Sequence, residues 1–188
     1  MKITNTAIPN ILIIKPTIHG DDRGYFLETY RKDLLDKYLG FEIKFIQDNE
    51  SKSNKGTLRG LHYQLPPFAQ SKLVRVIKGE VLDIAVDIRK DSPTFGQYVS
   101  EILNESNKKQ LLIPRGFAHG FVVLSDTAIF SYKVDNYYNP QYDRGIAFDD
   151  KTLNIDWKIK DLKLSQKDQN QPKLKDAEIF KHGINLYE

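Results

Sequence analysis

The segment from Lys72 to Arg89 constrains the fold of this chain more than any other. It reads as a β-hairpin that turns at Lys78-Gly79. In its second arm Leu82, Ile84, Val86 and Ile88 share one wholly apolar face, while Val81, Asp83, Ala85 and Asp87 share the other. A sandwich strand ordinarily turns its polar face to water. A barrel strand can aim that face into a ligand cavity instead. The pattern by itself admits both.

Similar signals recur along the chain. Strands are expected at 8–14, at 25–30 after the turn Asp21-Asp22-Arg23-Gly24, and at 41–49 and 57–64 around a polar turn. Four more are expected near 96–103, 110–113, 119–124 and 128–135. The clearest early helix spans 31–39, with Leu34, Leu35, Tyr38 and Leu39 on an apolar stripe. Short strands at this spacing predict an all-β fold, an antiparallel barrel or jelly roll. Ten Tyr and ten Phe beside one Met and one Trp suit such a core. From about residue 150 the chain becomes lysine-rich. That stretch is expected to pack short helices and loops on the barrel as an extension (151–188) of a single domain whose core covers about 7–150.

Composition excludes several chemistries. Without cysteine there are no disulfides, thiolate metal sites or cysteine nucleophiles. A net charge of +3 from 28 basic and 25 acidic residues is too balanced to argue for nucleic acid. No apolar run is long enough to span a membrane and the N-terminus lacks a signal-peptide pattern, so a cytoplasmic location is expected. Most basic residues are lysine, but Arg23, Arg59 and Arg75 fall in the first half. Their planar forks suit a diphosphate, and equally suit surface ion pairs.

The chain has four histidines. His62 closes the run Gly56-Thr57-Leu58-Arg59-Gly60-Leu61-His62. A histidine can move a proton near neutral pH. Strict alternation puts Arg59 and His62 on opposite faces, so serving one pocket requires a bend, and Gly60 is the place for it. The alternative is a structural histidine held by a hydrogen bond. His119 shares a face with Phe117 and Phe121, either buried with a partner or lining a pocket. Gly60 and Gln64 flank His62 where a second metal ligand would stand, and His19 and His182 lie near the ends, so no metal site is expected. Tyr132 and Tyr138 can share a face if their strand continues. A phenol with a pKa of about 10 is a natural proton donor to a carbanion, though packing aromatics are commoner. Asp168 ends a Ser-x-x-Asp capping signature; it either caps a helix or orients His62.

Ordered motifs run across residues 7–170. They include Asp21-x-Arg23-Gly24-x-Phe26-x-Glu28, Gln47-Asp48-Asn49-x-Ser51-x-Ser53, and Leu58-Arg59-Gly60-Leu61-His62-x-Gln64. Further on come Lys72-Leu73-Val74-Arg75-Val76, Pro114-x-Gly116-Phe117-Ala118-His119-Gly120-Phe121, and Tyr132-Lys133 with Tyr138. Together they resemble the motifs of the dTDP-4-dehydrorhamnose 3,5-epimerase family. The resemblance implies a cupin-like jelly roll, a homodimer and cofactor-free conversion of dTDP-4-dehydro-6-deoxy-D-glucose to dTDP-4-dehydro-L-rhamnose, on the way to surface polysaccharide. It implies His62 as base, Tyr132 as acid, Lys72 at the C4 oxygen and Asp168 as the partner of His62. It also implies that Arg23, Glu28, Gln47, Asn49, Arg59, His119, Asp143 and Lys167 hold the nucleotide sugar, that Tyr138 stacks on its base, and that Asp83 supports His119 or the pocket. His19, Phe68 and Asp143 stand where the family commonly has phenylalanine, histidine and glutamate, which leaves a GDP or UDP sugar open. Two other readings stand beside this one: a single-centre epimerase or ketoisomerase, and a non-catalytic nucleotide-sugar barrel. The last expects a missing base or acid, and both are present.

Overall fold

A computed structural model describes residues 1–187. In chain order its elements are β1 (Lys2–Asn5), β2 (Leu12–Lys15), β3 (Ile18–Asp21), β4 (Gly24–Leu27), α1 (Lys32–Leu39), β5 (Gln47–Asn54), β6 (Leu58–Gln64), β7 (Lys72–Lys78) and β8 (Glu80–Asp87). They continue with β9 (Arg89–Lys90), β10 (Tyr98–Asn104), β11 (Gln110–Ile113), β12 (Phe117–Val123), β13 (Thr127–Val134), β14 (Asp143–Gly145), α2 (Gln166–Gln169), a single 3-10 turn at Leu174–Asp176, and β15 (Phe180–Lys181).

Two antiparallel sheets face each other, one ordered β1-β2-β11-β7-β13-β5 and the other β10-β8-β12-β6-β14. The successive pairs β5/β6, β7/β8, β10/β11 and β12/β13 each place one strand in either sheet. This is the expected jelly roll. Between the sheets Val74, Val76 and Phe130 meet Val81, Ala85, Phe117 and Phe121. Burying each such side chain is worth about 1.5–3 kcal/mol. No helix among the described residues is long and apolar enough to cross a membrane.

The segment Lys72–Arg89 is therefore not a hairpin. β7 pairs with β11 and β13, and β8 pairs with β10 and β12. Lys78-Gly79 is a corner where the chain changes sheets. Gly79 has φ 80°, and a Cβ there would lie 2.1 Å from the Thr127 carbonyl oxygen. Alternation reports which face of a strand is buried, not which strand lies beside it. The two faces of β8 were read correctly, and neither meets water. Val81 and Ala85 face the inter-sheet core, while Leu82, Ile84, Val86 and Ile88 pack beneath Trp157, Leu174 and Phe180 of the C-terminal segment. Asp87 ends the strand and is taken by Arg89, Ser92 and Thr94.

Other boundaries moved for local reasons. The first expected strand begins only at Leu12, because Asn10 turns the chain at φ 74°, and β1 precedes it. The second becomes the arm of a hairpin, β3 pairing with β4. β5 starts at Gln47 and runs through the stretch expected to be a polar turn. Its partner β13 supplies the ladder, so a polar sequence suffices. The helix forms as expected and stops at Gly40, at φ 78°, whose N–H bonds the Asp36 carbonyl. Only Leu35 of its stripe is buried; Leu34 and Tyr38 are exposed.

Candidate active site

The pairing of β6 with β12 sets His62 opposite His119 and Arg59 opposite Phe121. Three steps along β6 thus match two along β12, so β6 carries one extra residue at Gly60-Leu61. A bulge cancels strict alternation, and Arg59 and His62 line the same cavity. Glycine is needed here: Gly60 has φ 145°, and a Cβ would come within 2.5 Å of the Gly120 Cα.

The cavity lies between the sheets and holds about 620 Å³. The six-stranded sheet contributes Asn49, Lys72 and Tyr132; the five-stranded sheet contributes Arg59, His62 and His119; α2 adds Lys167 and Asp168. Phe121 stacks on Phe130, with centroids 4.1 Å apart, as an apolar wall. Lys72, Tyr132, His62 and Lys167 also border an adjoining space of about 360 Å³, where Gln47, Tyr138 and Asp143 sit.

His62 Nε2 lies 2.5 Å from Asp168 Oδ1. Ser165 Oγ accepts the Asp168 backbone N–H and donates to Asp168 Oδ2 at 2.8 Å. The Ser-x-x-Asp signature therefore does both things: Ser165 caps the helix, and the Asp168 carboxylate meets His62. Burial opposes charge on Asp168, but the bonds from His62 and Ser165 outweigh it and hold the carboxyl below its ordinary value. His119 Nε2 makes a second such pair with Asp83 Oδ2 at 2.9 Å, with the carboxylate fully buried. Lys72 is buried and donates to the His62 carbonyl oxygen at 3.2 Å. Burial brings its ammonium down to about 8, against the pull of Asp143 and Asp83. Burial also raises the Tyr132 phenol, against Arg59, so it keeps its proton at neutral pH.

The remaining candidates divide. Arg59 donates to Ser53 Oγ at 3.1 Å and has no carboxylate partner among the described residues. Gln47 donates to Asn49 at 2.8 Å. Tyr138 lies past the end of β13, in a loop, and its hydroxyl donates to Asp143 Oδ2, which also pairs with Lys167. Arg23 and Glu28 are not in the cavity of their own chain. Arg23 is 90% exposed on the β3/β4 hairpin, paired with Asp21, and Glu28 pairs with Arg31. Arg75 falls on the outer side of its sheet, with Asp48 and Lys133. Sequence reasoning assigned no role to Gln64, which is buried and holds the Tyr138 loop through Tyr137 O and the Asn139 N–H. Its place on the His62 face was the available signal. Ser53 and Ser165, which position Arg59 and Asp168, carried no such signal beyond their motifs.

A second cavity of similar size, about 600 Å³, lies beneath the C-terminal tail. Its two arginines, Arg89 and Arg115, are already paired with Asp87 and Asp135. The chemistry gathers between the sheets. Fold and site together define the class: a cupin-like jelly-roll barrel, with ionisable groups on both walls of one cavity.

Comparison with known proteins narrows the class. The family model described as dTDP-4-dehydrorhamnose 3,5-epimerase matches residues 5–176. The dTDP-4-dehydrorhamnose 3,5-epimerase of Shigella flexneri is 52% identical over 180 residues, covering 96% of this chain and 99% of that protein. A crystal structure of the Elizabethkingia anophelis enzyme of that name is 50% identical, with TM-score 0.90, covering 94% and 97% of the two chains. The Legionella pneumophila dTDP-6-deoxy-D-glucose-3,5-epimerase, in complex with dTDP-4-keto-L-rhamnose, is 46% identical, with TM-score 0.94, covering 97% and 99%. The chain belongs to the dTDP-4-dehydrorhamnose 3,5-epimerase family.

Proposed function

We propose that this protein inverts C3 and C5 of dTDP-4-dehydro-6-deoxy-D-glucose to give dTDP-4-dehydro-L-rhamnose, with no cofactor, in the cytoplasm. The observation that carries the mechanism is that His62, paired with Asp168 of α2, and Tyr132 stand on opposite sheets around one cavity. The 4-keto group acidifies the C–H bonds on both flanking carbons. His62 takes the proton from one face, and the bond electrons move to the C4 oxygen as an enolate. Asp168 holds the imidazole and balances the imidazolium that forms. Lys72, a buried ammonium below pH 8, stabilises the enolate oxygen. Tyr132 returns a proton to the opposite face, and the centre inverts. Both groups then exchange with solvent before the second centre reacts.

Arg59 and Lys167, with Gln47, Asn49, His119 and Asp143, hold the diphosphate and sugar, and Tyr138 stacks on the base. Arg23 and Glu28 reach a site only across a homodimer. The hairpin that carries Arg23 also exposes Tyr25 and Phe26, at 60% and 66%, as a surface to be covered. A mixing experiment tests this arrangement. His62→Ala and Arg23→Ala chains, each weakly active alone, regain activity when mixed, because the hybrid dimer contains one intact site. No recovery with confirmed subunit exchange would place Arg23 outside the partner's site.

Proton NMR of the substrate with the protein in D2O tests the reaction itself. Deuterium at both C3 and C5, with the L-rhamno product trapped by a reductase, is the expected result. Label at one carbon means a single-centre epimerase; no label means another nucleotide sugar or a binding protein.

A further inference from the structure

Two histidine–aspartate pairs border the same cavity, and only His62–Asp168 moves a proton in the proposed reaction. Asp83 and His119 come from neighbouring strands, β8 and β12. Asp83 is 0% exposed and His119 is 7% exposed. The pair's one bond joins Asp83 Oδ2 to His119 Nε2 at 2.9 Å. Asp83 Oδ1 is the only sealed side-chain nitrogen or oxygen among the described residues that lacks a partner. His119 Nδ1 also has no protein partner among them, but it is not sealed, so it opens on the cavity that His119 lines. The ring lies nearly parallel to that of Phe130, with centroids 6.0 Å apart and 21° between the planes.

An ionised carboxylate with one bare, buried oxygen is costly, and a neutral carboxyl is far less so. The low-cost states of this pair have zero net charge: one proton shared between Oδ2 and Nε2, and a second on Nδ1. Burial raises the Asp83 carboxyl and lowers the His119 imidazole, in the same direction. The charged or titratable groups acting on the pair are Lys72 from β7 and His62 from β6. An imidazolium forming on His62 further disfavours a cation on His119.

We propose that Asp83 is a positioning residue that locks His119 as a hydrogen-bond donor, through Nδ1–H, to an oxygen of the bound sugar, and so prevents it from acting as a second base. The proposal rests on the epimerase reading only for the identity of the bound molecule. It gives the site a single proton acceptor on this wall. The two imidazoles then have distinct duties, one taking a proton from carbon and the other fixing an oxygen.

The first test is 15N NMR of His119 in the free protein, where no substrate is needed. The expected signature is a protonated Nδ1; a bare Nδ1 with the proton on Nε2 overturns the proposal, even if the protein proves an active epimerase. The second test compares two variants. An Asn at this position can donate its amide N–H to Nε2, as the neutral carboxyl does, and so preserve Nδ1–H. Asp83→Asn is therefore expected to stay within about threefold of wild-type kcat/KM, with an unchanged pH profile and the same tautomer. Asp83→Ala frees the ring and is expected to lose roughly 10–100-fold, the scale of one hydrogen bond at a charged or developing centre. If Asp83→Asn falls as far as Asp83→Ala, the aspartate acts through its charge and the assignment is wrong. Should Asp83→Ala fail to fold, the Asn variant and the tautomer still decide. An inactive wild-type protein with the expected tautomer would refute the epimerase reading and leave the lock intact.

Discussion

His62–Asp168 and His119–Asp83 stand side by side across β6 and β12, and their ring-to-carboxylate contacts, at 2.5 and 2.9 Å, look alike. Their surroundings do not. Asp168 has a partner for each oxygen, His62 on one and Ser165 on the other, and the His62 side chain is 28% exposed to the cavity. Asp83 has one partner and no access to solvent. The first carboxylate is supported as an anion and so can balance a cation on its histidine. The second is not, and its pair stays neutral. A histidine–aspartate contact is thus defined chemically by what satisfies the rest of the carboxylate.

The largest expected effect separates the two rings directly. His62→Ala should lower kcat by about 10³-fold or more, the loss of a general base, with thermal stability nearly unchanged. His119→Ala should cost roughly 10–100-fold in kcat/KM. Equal losses in steady-state assays would collapse the distinction between base and donor.

A smaller effect sharpens it. Asp168→Asn should lower kcat by about 10–100-fold, because the imidazolium loses its counter-charge and the ring its orientation. This contrasts with the near-neutral Asp83→Asn, so the two isosteric changes read out charge against shape. A mild Asp168→Asn would mean that the first pair is neutral as well.

The smallest effect is a pH limb. Lys72 lies between the pairs, and burial brings it down to about 8. Below that pH it is an ammonium that supports the enolate; above it the amine is neutral, so kcat/KM, which follows the free protein, should fall as pH rises through about 8. Lys72→Met should lose most activity and abolish the limb. A limb that survived in Lys72→Met would belong to another group, with the Tyr132 phenol next to examine.

Much of this was legible in the chain. The alternation in β8 correctly separated Val81, Asp83 and Ala85 from Leu82, Ile84 and Val86. The bend needed to bring Arg59 beside His62 was traceable to Gly60, and the bulge sits there. Resemblance assigned Lys72, Tyr132 and Asp168 to one pocket, and all three line the cavity between the sheets. The hairpin at Lys78-Gly79 was misread because a corner between sheets and a turn within one use the same residues. β5 was missed in part because an edge strand lining a polar cavity lacks an apolar face. Arg23 and Glu28 lie away from the cavity of their own chain, in exposed ion pairs with Asp21 and Arg31.

Alternation, glycine positions and the identity of the ionisable groups belong to the sequence itself, since pleat geometry and backbone sterics act over a few residues. Strand partnership does not, because it depends on the closure of the whole barrel. Only that closure brought Asp168 to His62 across 106 positions and Asp83 to His119 across 36. It also buried one carboxylate with a single partner and gave the other two. The charge each can hold was settled by packing rather than by residue type.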